Sequence, residues 1–198
     1  MHSKAAEKHS AKREKCEWAL LLIDVINDLD FPGNEHLVEF APELSELILR
    51  VKRVAREADI PTVYVNDNFN KWRSNWEEIF EHVMRPNSKG HELAGKLKPD
   101  EHDFFVIKPM HSAFYGTPLD ILLSALGSKR LILVGLAADI CVMYSANDAY
   151  MRGFEIVVVS DCVESNTDEE KERALTHMRE RLKAKLVSSK ELEDLLRK

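Results

Sequence analysis

Three side chains of complementary chemistry stand at or just beyond the ends of three apolar runs. Asp24 follows Trp18-Ala19-Leu20-Leu21-Leu22-Ile23, Lys108 follows Phe104-Phe105-Val106-Ile107, and Cys141 lies a few residues past Leu131-Ile132-Leu133-Val134-Gly135. A thiol is a nucleophile, a carboxylate can take its proton, and an ammonium can stabilise the negative charge that results. Continuous apolar runs mark strands buried on both faces of a parallel sheet, and such sheets bind ligands in the crevice beyond the carboxyl ends of their strands. The three groups are therefore expected to converge there as a cysteine nucleophile with its own acid–base partner. Taken singly, each has a plainer role: a cysteine packs as a small hydrophobe, a strand-end Asp caps a turn, and a strand-end Lys reaches solvent. Their coincidence at three strand ends favours chemistry.

The elements that must position these residues alternate between strand and helix patterns, the mark of βαβ units and a parallel sheet. Strands are expected over 18–24, 61–66, 103–108, 130–135 and 154–160, with a short sixth over 185–187. A helix is expected from about Pro42, where Leu44, Leu47, Ile48, Val51 and Val54 keep helical spacing. A second is expected over 118–126, and a third opened by Cys141, running to Arg152 and closed by Gly153. Thr167 with Glu170, and Ser188 with Glu191, read as capping boxes of the last two helices. From Asp67 to Pro99 the pattern blurs into a short helix and a long irregular connection, the kind of segment that forms a lid. The expected class is α/β: a three-layer α/β/α fold on a six-stranded parallel sheet in the order 3-2-1-4-5-6, with strands 1 and 4 adjacent at the switch point.

In that arrangement Cys141 sits at a helix amino terminus near an ammonium, and both influences are expected to lower its proton affinity toward thiolate. Asp24 beside Lys108 is expected to stay ionised, to take the thiol proton and later to pass it to a leaving amine. The backbone N–H groups of Ala137 and Cys141, in the turn between strand and helix, are candidate oxyanion donors. Phe31, Asn66, Asp67, Trp72 and Phe114 are candidate substrate-binding residues, since all lie near the expected crevice.

Composition narrows the rest. The chain has 198 residues, 44% of them hydrophobic, enough for one well-packed domain; residues 1–16 read as a polar extension and 17–198 as that domain. A net charge of −6 argues against nucleic acid or an anionic membrane surface as a partner. The first 17 residues hold no apolar stretch resembling a signal or anchor, which points to the cytoplasm. Cys16, Cys141 and Cys162 have no C-x-x-C spacing and fit free thiols in a reducing compartment. Neither G-x-G-x-x-G nor G-x-x-x-x-G-K-[ST] occurs, so cofactor-free chemistry is expected.

The segments Leu21-Leu22-Ile23-Asp24-Val25-Ile26-Asn27-Asp28, Ile107-Lys108-Pro109-Met110-His111-Ser112-Ala113-Phe114 and Gly135-Leu136-Ala137-Ala138-Asp139-Ile140-Cys141-Val142 together resemble the isochorismatase-like cysteine hydrolases. These include nicotinamidase and N-carbamoylsarcosine amidohydrolase. The resemblance runs from about Trp18 to Val187 and implies a triad of Asp24, Lys108 and Cys141. It also implies a cis peptide between Leu136 and Ala137, and assembly into homodimers or homotetramers. Asp67 matches a metal-binding Asp of nicotinamidases, but Phe69 occupies the position of their nearby His ligand, so no metal is expected. The activity implied is cleavage of a C–N bond in a small amide or ureide through a thioester. A catalytically silent binding relative and a vinyl ether hydrolase are the alternatives.

Overall fold

The computed structural model describes residues 15–69 and 75–197. Six parallel strands form one sheet in the order β3-β2-β1-β4-β5-β6: β1 Trp18–Ile23, β2 Thr62–Asp67, β3 Phe104–Lys108, β4 Arg130–Leu136, β5 Glu155–Glu164 and β6 Lys185–Val187. This is the order expected from the apolar runs. Alternation along β1 shows why those runs are continuous: Leu20 and Leu22 belong to the core on one face, Ala19, Leu21 and Ile23 to the core on the other. Helices α1 (Glu35–Glu57), α2 (Trp76–Val83), α3 (His91–Lys96) and α7 (Ser189–Leu196) bury their apolar residues against the first face. Helices α4 (Leu119–Leu126), α5 (Met143–Met151) and α6 (Asp168–Arg181) cover the second. No helix among the described residues is long and apolar enough to cross a membrane.

Several boundaries differ from expectation for identifiable reasons. Helix α1 begins at Glu35 rather than near Pro42, because Leu37 and Ala41 extend the buried stripe of Leu44, Ile48 and Val51 back by two turns. Pro42 is accommodated inside the helix, where it forgoes one backbone hydrogen bond. Among its described residues, the segment from Asp67 to Pro99 holds two helices instead of one and a long connection. Ile79, Val83, Leu93 and Ala94 are buried in the core under α1, and the Gly90 N–H bonds the Asp28 carbonyl at 2.9 Å. Strand β5 runs on to Glu164 through a register shift opposite Leu133 and Gly135, so its far end reaches the crevice. The Ser188–Glu191 capping box forms in full. Thr167 caps α6 through the Glu170 N–H, while the Glu170 carboxylate takes the Thr167 hydroxyl rather than its backbone. Gly153, with φ +80°, ends α5 in the left-handed conformation expected of it.

Candidate active site

Strands β1 and β4 lie side by side, with Ile23 paired to Gly135, so the residues that follow each strand open into the same crevice. Asp24 leaves β1 with φ +51°, a left-handed conformation that Asp tolerates better than most residues. That turn keeps its backbone N–H on the Val65 carbonyl at 2.9 Å and directs the carboxylate beneath β2, where Oδ1 accepts the Asp67 N–H at 2.7 Å. Lys108 ends β3 opposite Asp67 and reaches across the intervening strand until Nζ is 2.8 Å from Asp24 Oδ2 and 3.7 Å from Asp67 Oδ2. The ammonium is fully buried and the Asp24 carboxylate nearly so. Lys108 Nζ also lies 3.5 Å from Cys141 Sγ, so the ammonium links the Asp24 carboxylate to the thiol. The carboxylate, ammonium and thiol expected to meet at three strand ends do meet.

Cys141 does not open an α-helix. It lies in a single π-helical turn, Ala138–Val142, that precedes α5, and the Val142 N–H reaches back five residues to the Ala137 carbonyl at 3.1 Å. Such turns are frequent at functional sites, and this one sets the thiol where the chain leaves β4. The peptide between Leu136 and Ala137 is not cis: all peptide bonds among the described residues are trans. The chain changes direction instead through Gly135, at φ +120°, and through the π turn, whose Ile140 and Val142 N–H groups both bond the Ala137 carbonyl.

The electrostatics correct one expectation. Burial pushes the Cys141 thiol above the usual cysteine range, the negative charge of Asp24 adds to the effect, and Lys108 only partly opposes it. A helix terminus is worth about 0.3–1 kcal/mol to a nearby charge, whereas removing a charge from water costs several kcal/mol, so desolvation wins. Burial likewise raises the Asp24 carboxyl, against the pull of Lys108, the neighbouring Cys141 thiol and the Asp67 N–H. For Lys108 burial acts to lower, but the charges of Asp24, Cys141 and Asp67 outweigh it and hold the ammonium above the ordinary lysine range. All three groups are biased toward keeping protons. A raised carboxyl is also a stronger base, better matched to the thiol it faces. In the ligand-free protein, iodoacetamide is therefore expected to alkylate Cys141 at pH 7 more slowly than a cysteine in a short peptide, with a rate still climbing above about pH 9. Peptide mapping by mass spectrometry measures this, and a rate already at its plateau at pH 7 contradicts it.

The candidate binding residues divide. Asp67 stands at the crevice, partly exposed, with Oδ1 taken by the Phe69 N–H at 2.6 Å. Phe31, beyond the β1 turn, is exposed. Asn66 is fully buried and clamps Ile26, accepting its N–H at 3.0 Å and donating to its carbonyl at 2.8 Å. It fixes the chain after Asp24 and does not face substrate. Phe114 is also core, packed on Phe154 and covered by the Arg152 guanidinium. The sequence places it after Lys108, but the β3–α4 loop turns inward there. Trp72 lies outside the described residues. His111, absent from the candidate residues, is the one that sequence reasoning missed: its Nδ1 is 3.9 Å from Cys141 Sγ. The signal available was its position three residues after Lys108, in the loop leaving the same strand end.

The chain belongs to the isochorismatase family. The family model of the isochorismatase domain matches residues 18–191, which contain the whole site. An uncharacterized isochorismatase family protein, YaaI of Bacillus subtilis, is 38% identical over 178 residues, covering 90% of this chain and 97% of that one. Among solved structures, the N-carbamoylsarcosine amidase of Thermoplasma acidophilum is 27% identical with a TM-score of 0.66, over 88% of this chain and 97% of that one. The pyrazinamidase/nicotinamidase of Streptococcus mutans is 27% identical with a TM-score of 0.67, over 86% and 99%.

A metal of the kind suggested by Asp67 would need further ligands beside it in this isochorismatase-family protein. The neighbouring position is Phe69, whose ring lies 5.9 Å from that of His82, and His82 Nε2 is engaged with Asp28 Oδ2 at 2.9 Å. Among the described residues the one cluster of three possible ligands is elsewhere, at His36, Glu164 and Asp168, where Lys171 already pairs with Glu164 at 2.9 Å. The donor set at Asp67 among the described residues does not fit zinc.

Proposed function

We propose that this protein hydrolyses the C–N bond of a small amide or ureide through a thioester on Cys141. The observation that carries the reading is a buried ammonium that bridges the Cys141 sulfur, 3.5 Å away, and the buried Asp24 carboxylate, 2.8 Å away. The amidases and nicotinamidases among its structural relatives support the same reaction class.

The steps follow from proton affinities and geometry. Substrate displaces water from the mouth, Asp24 takes the thiol proton, and the thiolate attacks the carbonyl carbon as the C=O electrons move to oxygen. Lys108 holds the site near neutrality throughout: the negative charge passes from carboxylate to sulfur beside an ammonium that does not move. The backbone N–H groups of Ala137 and Cys141 are assigned to the oxyanion, a contribution of about 3–4 kcal/mol per donor. Collapse breaks the C–N bond, the leaving nitrogen takes up a proton, and water hydrolyses the thioester.

Cys141 favours this course over ether cleavage, which needs no nucleophilic sulfur, and over a silent binding role, which needs no buried ion pair at that sulfur. Incubating the protein with a panel of small amides and ureides, then acid-quenching and mapping peptides, is expected to find an acyl adduct on Cys141. Turnover should be lost in Cys141→Ala. Full turnover in that variant, or a panel with neither adduct nor product, overturns the reading.

A further inference from the structure

We propose that His111 is a second catalytic proton carrier, at the exposed side of the sulfur, which protonates the leaving nitrogen and then activates the deacylating water. The inference rests on the amide-hydrolase reading above and divides its proton traffic between two groups.

Asp24 is poorly placed for both tasks. It is buried, its Oδ1 is occupied by the Asp67 N–H and its Oδ2 by Lys108 at 2.8 Å, so it faces the thiol and little else. His111 approaches the same sulfur from the solvent side, where a substrate must enter, with Nδ1 at 3.9 Å. A general acid or base must lie within hydrogen-bond reach of the atom it serves, and an atom bonded to the attacked carbon sits close to the sulfur itself.

The loop that carries His111 is not free to drift. Immediately after it, the Ala113 N–H bonds Ser145 Oγ at 2.9 Å, and the same hydroxyl donates to the Cys141 carbonyl at 2.6 Å. Ser145 thus links the histidine loop directly to the nucleophile's own backbone. Ser112 adds a second tether through its hydroxyl to Asp148 on α5. The imidazole itself lies against the Tyr144 ring, at 5.7 Å between centroids, one turn beyond Cys141. These contacts hold a proton carrier in register with the sulfur at the open side of the site.

The proton balance closes. Asp24 takes the thiol proton, the thiolate bonds to the carbonyl carbon, and on collapse the C–N electron pair leaves on nitrogen, which takes a proton from the His111 imidazolium. The acyl-enzyme then holds protonated Asp24 and neutral His111. Water attacks the thioester carbon, His111 takes its proton, and the departing sulfur recovers the proton held by Asp24. Thiol, carboxylate and imidazolium are all restored, and the net reaction consumes one water.

The test uses the intact protein and an amide turned over by the wild type in a Cys141-dependent way. His111→Gln is expected to lower kcat about 10²-fold and to abolish the alkaline limb of the pH profile for acylation. In His111→Ala, free imidazole should restore much of the lost rate. The titratable groups facing His111 are Cys141 and Tyr144, with Lys108 and Asp24 behind the sulfur; Tyr144→Phe separates the tyrosine's part in the profile. A residue that merely props the loop would show neither the altered limb nor imidazole rescue. Turnover in His111→Gln within about threefold of wild type, with the same pH profile, overturns the proposal and leaves the thioester reading standing. Absence of any Cys141-dependent turnover in the wild type overturns both.

Discussion

Lys108→Met is expected to destabilise the fold by about 3–5 kcal/mol at pH 8, from a total that for a domain is typically about 5–15 kcal/mol. Methionine nearly reproduces the length and apolar stem of lysine, so packing at this fully buried position is largely retained. The loss is electrostatic. Without Nζ at 2.8 Å, the Asp24 carboxylate is left in the interior with the Asp67 N–H and a thiol for company. Breaking one half of a buried pair costs more than the pair itself is worth, because an uncompensated charge remains.

The deficit should depend on pH in a direction set by Asp24. Burial already raises this carboxyl in the wild type, and removing the ammonium takes away the largest opposing influence, so it rises further. A group that binds protons more tightly folded than unfolded gives its full stabilisation below its unfolded value, about 3.9 for Asp, and loses it as pH rises through the folded one. Lys108→Met should therefore come closest to wild type in acid and fall away toward neutrality. The wild type, by contrast, sheds the contribution of its raised lysine only above the ordinary lysine range. Adding Asp24→Asn to Lys108→Met should recover most of the loss at pH 8, since it removes the orphaned charge. Urea denaturation at pH 5 and pH 8 measures all of this. A single variant within about 1 kcal/mol of wild type at both values would mean that the two groups are not a buried pair. Turnover should fall about 10²- to 10⁴-fold in either variant, because a stable fold does not replace the ammonium that faces the sulfur.

The order of the sheet and the meeting of Asp24, Lys108 and Cys141 were legible in sequence because both follow from short-range pattern. Apolar runs report strands buried on two faces, and a reactive residue at a strand's carboxyl end is carried to the crevice by topology alone. What could not be read depends on neighbours distant in the chain. Asn66 is 40 residues from Ile26, and nothing in Val65-Asn66-Asp67 distinguishes a clamp on the β1 turn from a pocket wall. The thiol's direction of shift was misjudged for a related reason. A helix terminus is visible in sequence, but the burial that outweighs it is made by Asp24 and its surroundings on another strand. The π turn has no residue signature: Ala137 through Val142 would read equally well as the start of an α-helix. His111 escaped notice because an exposed polar residue in a loop has a bland default, and only the approach of its Nδ1 to Sγ, in a loop that Ser145 ties to Cys141, shows where it lies.

Gly135→Ala is expected to have a large effect for a single methyl group added beside the site. Gly135 has φ +120°, where an L side chain is strained, and a Cβ built there would lie 2.0 Å from the Ile23 carbonyl oxygen and under 3 Å from the Ile23 N and carbonyl carbon. Those atoms are backbone, and Ile23 is the residue directly paired with Gly135 in the sheet, so no rotamer change relieves the clash. Backbone strain of about 1–3 kcal/mol adds to overpacking of about 1–3 kcal/mol or more, and the rigidity of both strands favours the upper end. Relief requires β1 and β4 to part at the switch point, which moves Asp24 away from the turn carrying Cys141. A loss of about 4 kcal/mol should lower the melting temperature by about 8–16 °C for a chain of this size. Activity should fall further than stability explains, even well below the melting point, because the remaining folded molecules hold Asp24 and Cys141 apart. Gly153→Ala supplies the comparison: its φ of +80° is also left-handed, but nothing lies within 4 Å of the added carbon. It should cost about 1 kcal/mol from strain alone and leave turnover unchanged. Equal melting temperatures for the two variants would show that β1 and β4 do not approach closely at Gly135, and with that the placement of Asp24 against Cys141 would lose its structural basis.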